Sequence, residues 1–183
     1  GDTLLSEDFS SDLSQWDINT GDWQVQDGVL KQTSNIEGAG IYAGESNWTD
    51  YTLTLKARKN GGSEGMLISF GVKDTGNYYW WNLGGWQNTQ YAIEKAVNGS
   101  KQIIGKAVPG KIEANRWYDI KIEVSGNRIR CYLDGELLHE VVDQADQGPL
   151  YSVTTMDEDS GDIIVKVVNT SNKEENVAVV IDG

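Results

Sequence analysis

The sequence predicts an all-β protein in which two antiparallel sheets pack as a β-sandwich of the jelly-roll type. The main observation is that polar and apolar residues alternate in short runs along most of the 183-residue chain. Gly, Asn and Asp separate these runs at intervals of roughly 8–12 residues, which is typical of strands joined by tight turns. Helical periodicity is almost absent, so we expect about a dozen strands and no helix.

Turn dipeptides between alternating runs mark the hairpins. Asp27-Gly28 joins the runs 23–26 and 29–33, and both turn positions need the positive φ that these residues tolerate. Further strands are expected at 51–58, 66–72, 78–83, 91–97, 103–104, 117–124, 128–133 and 136–142. The single cysteine, Cys131, alternates with apolar neighbours and is expected to be a buried, inert thiol.

The chain divides at Gly148-Pro149, where Gly and Pro end a segment. Residues 1–149 are expected to form the jelly-roll domain, and residues 150–183 a tail of β-strands. The tail predicts strands at 163–168 and 177–181. It either completes the sandwich or begins a following β-domain.

Composition excludes several classes of protein. With 28 acidic and 15 basic residues the formal net charge is −13, which argues against nucleic acid and anionic membranes as partners. No apolar run approaches the ~20 residues of a membrane span. One Cys and one His, Cys131 and His139, cannot form an intramolecular disulfide or a tetrahedral zinc site. The first residues lack the pattern of a signal peptide.

The aromatic residues around position 80 are the strongest functional signal. Neighbours in a strand point to opposite faces, so Trp81 and Leu83 facing the core would leave Tyr78, Trp80 and Asn82 on the other face. Flat rings suit the C–H faces of sugars, and amide or carboxylate groups suit their hydroxyls. An aromatic patch exposed without a purpose is unusual, although a loop or partner domain could also cover it.

Residues near this row could extend the site. Trp86, Gln87 and Asn88 follow Gly84-Gly85, where a ligand could approach the backbone closely. We expect Tyr78, Trp80 and Trp86 to stack on sugar rings and Asn82, Gln87 and Asn88 to hold hydroxyls. Arg58 and Glu94 on neighbouring strands are further candidate ligand contacts.

Several segments resemble a known family. The run from Phe9 through Leu13 to Trp16, followed by residues 21–30, resembles the opening of laminin-G/concanavalin-A-like jelly rolls of bacterial carbohydrate-active proteins. Residues 116–122 and 131–135 are similar to their closing hairpin. The segment 81–89 resembles the module attached to α-L-arabinofuranosidases of glycoside hydrolase family 51, and residues 151–157 and 161–169 resemble the start of the β-domain that follows their catalytic barrel.

The resemblance implies a non-catalytic carbohydrate-binding module that recognises arabinose- or xylose-containing plant cell-wall polysaccharide, with the catalytic domain of a parent enzyme as its other partner. It also implies an extracellular or cell-surface bacterial location. Two alternatives stay open. The first is an accessory domain that packs on the catalytic domain and shapes it. The second is a small jelly-roll glycoside hydrolase, which would need two suitably spaced carboxylates.

The resemblance also implies a structural calcium ion, which is common in jelly-roll binding modules. Calcium prefers six to eight oxygen ligands. Glu7 and Asp8 near the N-terminus are the candidate ligands.

Overall fold

The computed structural model describes residues 2–34, 36–45 and 48–144, together with the backbone of two strands at 165–169 and 175–182. The strands are β1 (Thr3–Glu7), β2 (Trp16–Thr20), β3 (Trp23–Gln26), β4 (Val29–Gln32), β5 (Ala39–Ala43), β6 (Tyr51–Lys59), β7 (Met66–Asp74), β8 (Asn77–Gly84), β9 (Gln90–Val97), β10 (Ser100–Pro109), β11 (Tyr118–Ser125), β12 (Arg128–Leu133), β13 (Glu136–Val142), β14 (Val165–Asn169) and β15 (Glu175–Asp182). One four-residue helical turn, α1 (Gly85–Asn88), separates β8 from β9.

These strands form two antiparallel sheets. The first sheet has the order β13-β12-β11-β6-β15-β4-β3, with β1 also paired to β15. The second sheet has the order β10-β9-β8-β7-β14-β5-β2. The predicted antiparallel sandwich is confirmed.

The core lies between the two sheets. Alternate residues of β6 (Tyr51, Leu53 and Leu55) are buried there, opposite Trp81 and Leu83 of β8. The Tyr51 hydroxyl of β6 accepts the backbone N–H of Gly71 in β7 at 2.9 Å, so this hydrogen bond joins the two sheets. Burial raises the pKa of the Tyr51 hydroxyl, so this group stays neutral.

The strands β14 and β15 occupy interior positions in the sheets. β15 lies between β6 and β4, with Val177 opposite both Ala57 and Leu30, and β14 lies between β7 and β5. The boundary expected at Gly148-Pro149 lies outside the described residues. Alternation did not identify β1, β2 and β5, because these short strands carry polar residues or glycine where an apolar period would be seen.

Candidate functional site

The strand β8 presents polar and aromatic side chains on the outer face of the second sheet. Trp81 and Leu83 are fully buried in the core, whereas Tyr78, Trp80 and Asn82 are half-buried on the opposite face. This is the distribution that the alternation predicts. The rings of Tyr78 and Trp80 lie 5.0 Å apart between centroids and are tilted by 47°.

Glu94 holds this row in place. It lies directly opposite Trp80 in the register between β8 and β9. One carboxylate oxygen, Oε1, accepts hydrogen bonds from Trp80 Nε1 and from Asn82 Nδ2, each at 2.9 Å. We call Tyr78, Trp80, Asn82 and Glu94 the Trp80 platform. The Trp80 ring and the Asn82 amide are therefore held in fixed orientations before any ligand binds.

A lysine that the sequence analysis missed also contacts the platform. Lys101 of β10 places its Nζ 4.7 Å from the centroid of the Trp80 ring. It lies opposite Ala96 because β10 pairs with β9. The pairing of the consecutive strands β8, β9 and β10 brings these residues together, and the Asn98-Gly99 turn between β9 and β10 was the signal that could have identified Lys101.

The floor around the platform is made of small residues. Ser69, Ala92 and Ala96 point to the outer face, yet each is almost fully buried. Ser69 lies opposite Trp80, and Ala92 lies opposite Asn82. The platform side chains therefore stand out from these small neighbours, beside the larger Leu67, which lies opposite Asn82.

The turn α1 brings Trp86 and Gln87 to the end of β8. Trp86, Gln87 and Asn88 have φ values of 52°, 61° and 62°, so three successive non-glycine residues adopt the left-handed conformation. Such residues cost about 1–2 kcal/mol each and occur mostly where the surroundings enforce them. Trp86 is 39% exposed, so its ring is available to a ligand.

Asn88 fixes this turn. Its amide Nδ2 donates to the backbone oxygen of Ile112 at 3.0 Å, and its Oδ1 accepts the backbone N–H of Ile112 at 2.8 Å. The backbone N–H of Gln87 donates to Glu64 Oε2 at 2.7 Å. Asn88 was expected to hold a ligand hydroxyl, but its polar atoms are committed to Ile112. Asn88 instead stabilises the turn that carries Trp86 and Gln87.

The turn is also joined to the platform. The side chain of Asn82 lies so close to Gly85 that a Cβ at that position would come within 2.4 Å of Asn82 Oδ1. A side chain at position 85 would therefore displace the Asn82 amide. The platform and the turn form one continuous surface at the end of β8.

Arg58 does not lie on this surface. Its strand, β6, pairs with β11 and β15 in the first sheet, so the expectation that Arg58 extends the site is wrong. Its guanidinium lies 5.1 Å from the centroid of the Trp117 ring, and its Nε donates to Asn60 Oδ1 at 3.0 Å. The error arises because the alternation of a strand gives its faces but not its partner strands.

The residues expected to bind calcium have other partners. The carboxylate of Glu7 accepts the backbone N–H of Phe9 at 3.0 Å and the indole N–H of Trp16 at 2.9 Å. Asp8 accepts hydrogen bonds from the hydroxyl and from the backbone N–H of Ser10, and these lower the pKa of its carboxyl. Across the described ranges, no group of three or more His, Cys, Asp or Glu residues is close enough to hold a metal ion. The late-chain acids that could complete a calcium site with Glu7 and Asp8 lie outside the described residues, so calcium binding there stays a prediction.

A second group of polar residues is buried between the sheets. The Nζ of Lys95 lies 2.8 Å from Asp143 Oδ2, with both side chains nearly inaccessible, and the Tyr79 hydroxyl donates to the same carboxylate. His139 packs edge-on against Trp81, and burial lowers the pKa of its imidazole. These residues lie away from the platform and hold the two sheets together.

The outer face of the second sheet carries the carboxylates of Asp17, Asp74 and Glu94. Among the described residues of β8, β9 and β10, Glu94 is the one acidic side chain that faces outward. A glycosidase would need a second carboxylate within ~10 Å of it.

No helix in the described part of the chain has the length and apolar character to cross a bilayer.

Comparison with known proteins finds a matching family and related sequences. The family profile of the 3-keto-alpha-glucoside-1,2-lyase-like domain matches residues 5–172. An extracellular exo-alpha-L-arabinofuranosidase of Streptomyces chartreusis is 48% identical over 100% of this chain, and the match spans 22% of that protein. A levanase of Bacillus subtilis is 26% identical over 74% of the chain, which is 20% of that protein.

Solved structures share the fold. The carbohydrate-binding module CBM66 from Bacillus subtilis superposes with a TM-score of 0.69 at 20% identity, covering 93% of this chain and 97% of that one. The laminarinase from Rhodothermus marinus superposes with a TM-score of 0.67 at 12% identity, covering 99% and 96%. At these identities the likeness concerns the fold alone, and it confirms the concanavalin-A-like jelly roll. The chain is a jelly-roll domain that is related in sequence to an extracellular exo-alpha-L-arabinofuranosidase.

Proposed function

The chain belongs to the family of 3-keto-alpha-glucoside-1,2-lyase-like domains, and from this premise we propose that it is a non-catalytic carbohydrate-binding module for arabinose- or xylose-containing plant polysaccharide. The relative from Streptomyces chartreusis is an extracellular arabinofuranosidase, and the chain corresponds to about a fifth of its length. The module would therefore work beside the catalytic domain of such an enzyme, outside the cell.

The observation that carries this proposal is the fixed orientation of Trp80. Its ring is held by the hydrogen bond to Glu94 and stands above a floor of small residues. A ring that is already ordered loses little entropy when a sugar stacks on it. Aromatic side chains offer a large contact area for the C–H faces of sugar rings.

The polar atoms of the platform supply orientation. Glu94 uses Oε1 for Trp80 and Asn82 and makes no hydrogen bond through Oε2 within the described residues. A sugar hydroxyl donating to this oxygen would form a charge-assisted hydrogen bond. Trp86 and Gln87 on the adjoining turn give the polysaccharide a second contact, because both are exposed at the end of β8.

The test is a comparison of two tryptophan variants. Trp80→Ala removes the platform ring, and Trp117→Ala removes a 39% exposed ring from the opposite sheet. Binding to arabinan, arabinoxylan, xylan and β-glucan is measured by titration calorimetry and by retardation in native gels containing the polysaccharide. We expect Trp80→Ala to weaken binding at least about tenfold and Trp117→Ala to leave it unchanged. Equal binding by both variants would refute the proposal.

Catalysis is the second candidate, because laminarinase and β-glucanase structures share this fold. Release of reducing sugar from these polysaccharides by the isolated chain would establish it. A third outcome is also informative. A folded chain that binds no polysaccharide but raises the activity of its parent catalytic domain would make it an accessory domain instead.

A further inference from the structure

A pocket of about 130 Å³ opens on the outer face of the second sheet, beside the Trp80 platform. Its lining includes Asn19, Tyr42, Ser69, Asp74, Thr75 and Tyr78. Tyr78 belongs to both the platform and the pocket. Because Glu94 is on β9 and Tyr42 is on β5, the pocket lies on the side of Tyr78 away from Glu94.

The floor of the pocket contains an unsatisfied hydroxyl. Ser69 is 1% exposed, and its Oγ has no hydrogen-bond partner in the structure. A buried hydroxyl without a partner costs free energy, and such groups in native proteins call for a specific explanation. A ligand hydroxyl at the bottom of the pocket would provide the missing partner.

The volume limits what the pocket can hold. Pockets for drug-sized ligands measure ~300–1,000 Å³, whereas a cavity of about 150 Å³ accommodates a single six-membered ring. This pocket therefore has room for one sugar ring and not for a chain of them.

The lining selects a neutral, hydroxyl-rich ring. Tyr42 and Tyr78 offer flat ring surfaces, while Asn19 and Thr75 offer groups that can exchange hydrogen bonds with hydroxyls. Asp74 is the one ionisable carboxyl among the described lining residues, and hydrogen bonds from Asn77 and Gly76 lower its pKa and keep it negative. A negative charge disfavours an acidic sugar at this position.

We propose that this pocket binds a single neutral sugar that branches from a polysaccharide lying on the Trp80 platform. The inference rests on the proposed function, because it takes the platform as the site of the main chain. Tyr78 joins the two subsites, so that main chain and branch would be recognised together. Binding would then distinguish branched from linear chains of the same backbone.

The test uses two oligosaccharides with the same xylose backbone, one linear and one with a single arabinofuranose branch. Calorimetry measures the affinity of the wild type and of the variants Ser69→Ala and Asn19→Ala. We expect the wild type to prefer the branched ligand. Each variant should lose about three- to tenfold in affinity for the branched ligand and nothing for the linear one.

Controls separate the two proposals. Asn127→Ala removes an exposed amide from the turn after β11 and should change neither affinity. Ser69→Ala should keep or raise the unfolding midpoint, since the lost hydroxyl has no partner. Unchanged preference for the branched ligand in both pocket variants would overturn the branch subsite and leave the platform standing. Absence of binding to either ligand by the wild type would overturn both.

Discussion

The support of the left-handed turn by Asn88 leads to a quantitative prediction. The variants Asn88→Gly and Asn88→Ala both remove the side-chain amide that bonds to Ile112. They differ in how well they accept the φ of 62° at this position. Glycine adopts positive φ without a steric penalty, whereas alanine does not.

The magnitude follows from the contacts. Ile112 is 1% exposed, so its backbone groups would be left buried and unpaired. Two hydrogen bonds at about 0.5–1.5 kcal/mol each give a loss of about 1–3 kcal/mol for Asn88→Gly. Alanine adds about 1–2 kcal/mol for the left-handed conformation, so Asn88→Ala should lose about 2–5 kcal/mol.

The free energy of unfolding is measured by urea titration monitored through tryptophan fluorescence. Asn115 provides the matched control, because it has a φ of 64° but is exposed and lacks this pair of bonds. Asn115→Gly should be neutral, and Asn115→Ala should lose only the ~1–2 kcal/mol of backbone strain. If Asn88→Gly is as stable as the wild type, Asn88 does not support the turn. Equal losses for Asn88→Gly and Asn88→Ala would contradict the backbone conformation.

Three further predictions concern stability. We propose that the tail belongs to the same domain. A chain ending at residue 144 lacks β14 and β15, so each sheet loses an interior strand and the chain should fail to give the folded circular dichroism spectrum. A cooperatively folded truncated chain would contradict this. Lys95→Met leaves Asp143 as a buried charge and should lower the free energy of unfolding by about 3–5 kcal/mol. The double variant Lys95→Met with Asp143→Leu should recover most of this free energy, and an unrecovered loss would disprove the pairing. Burial lowers the pKa of His139 in the folded chain below its ordinary 6.5. As the pH falls, the imidazole therefore gains its proton first in the unfolded chain. The contribution of the neutral His139 to the free energy of unfolding is present above pH ~6.5 and is lost as pH falls through the folded pKa. Urea titrations at pH 7.5 and 5.5 should therefore show a larger decrease for the wild type than for His139→Asn, and equal decreases would exclude the effect.

The sequence predicted the faces of the strands well. Alternation alone put Trp81 and Leu83 inside and Trp80 outside, because a buried strand face imposes a period of two on its residues. It also placed Glu94 near the row, since one tight turn joins β8 to β9. Local pattern is sufficient where neighbouring strands are also neighbours in the chain.

Features that depend on distant pairing were not predictable in this way. The order of strands in a sheet is set by contacts across the whole core, and for this reason Arg58 was assigned to the wrong sheet. The pocket is likewise made by β2, β5, β7 and β8, whose residues are far apart in sequence. The left-handed turn at Asn88 gave only a weak signal, because asparagine tolerates positive φ but does not require it.

The position of β15 has a kinetic consequence. The strand ends at Asp182 and lies between β4 and β6, while Asp182 is also opposite Thr3 of β1. Pairing between residues so far apart in the chain loses a large loop-closure entropy before its hydrogen bonds and packing contacts form, and this slows folding. Until β15 docks, β4 and β6 present unpaired edges that can associate with other chains. The slow step of folding should therefore be the arrival of this strand, and rapid dilution at low protein concentration should favour correct refolding over aggregation.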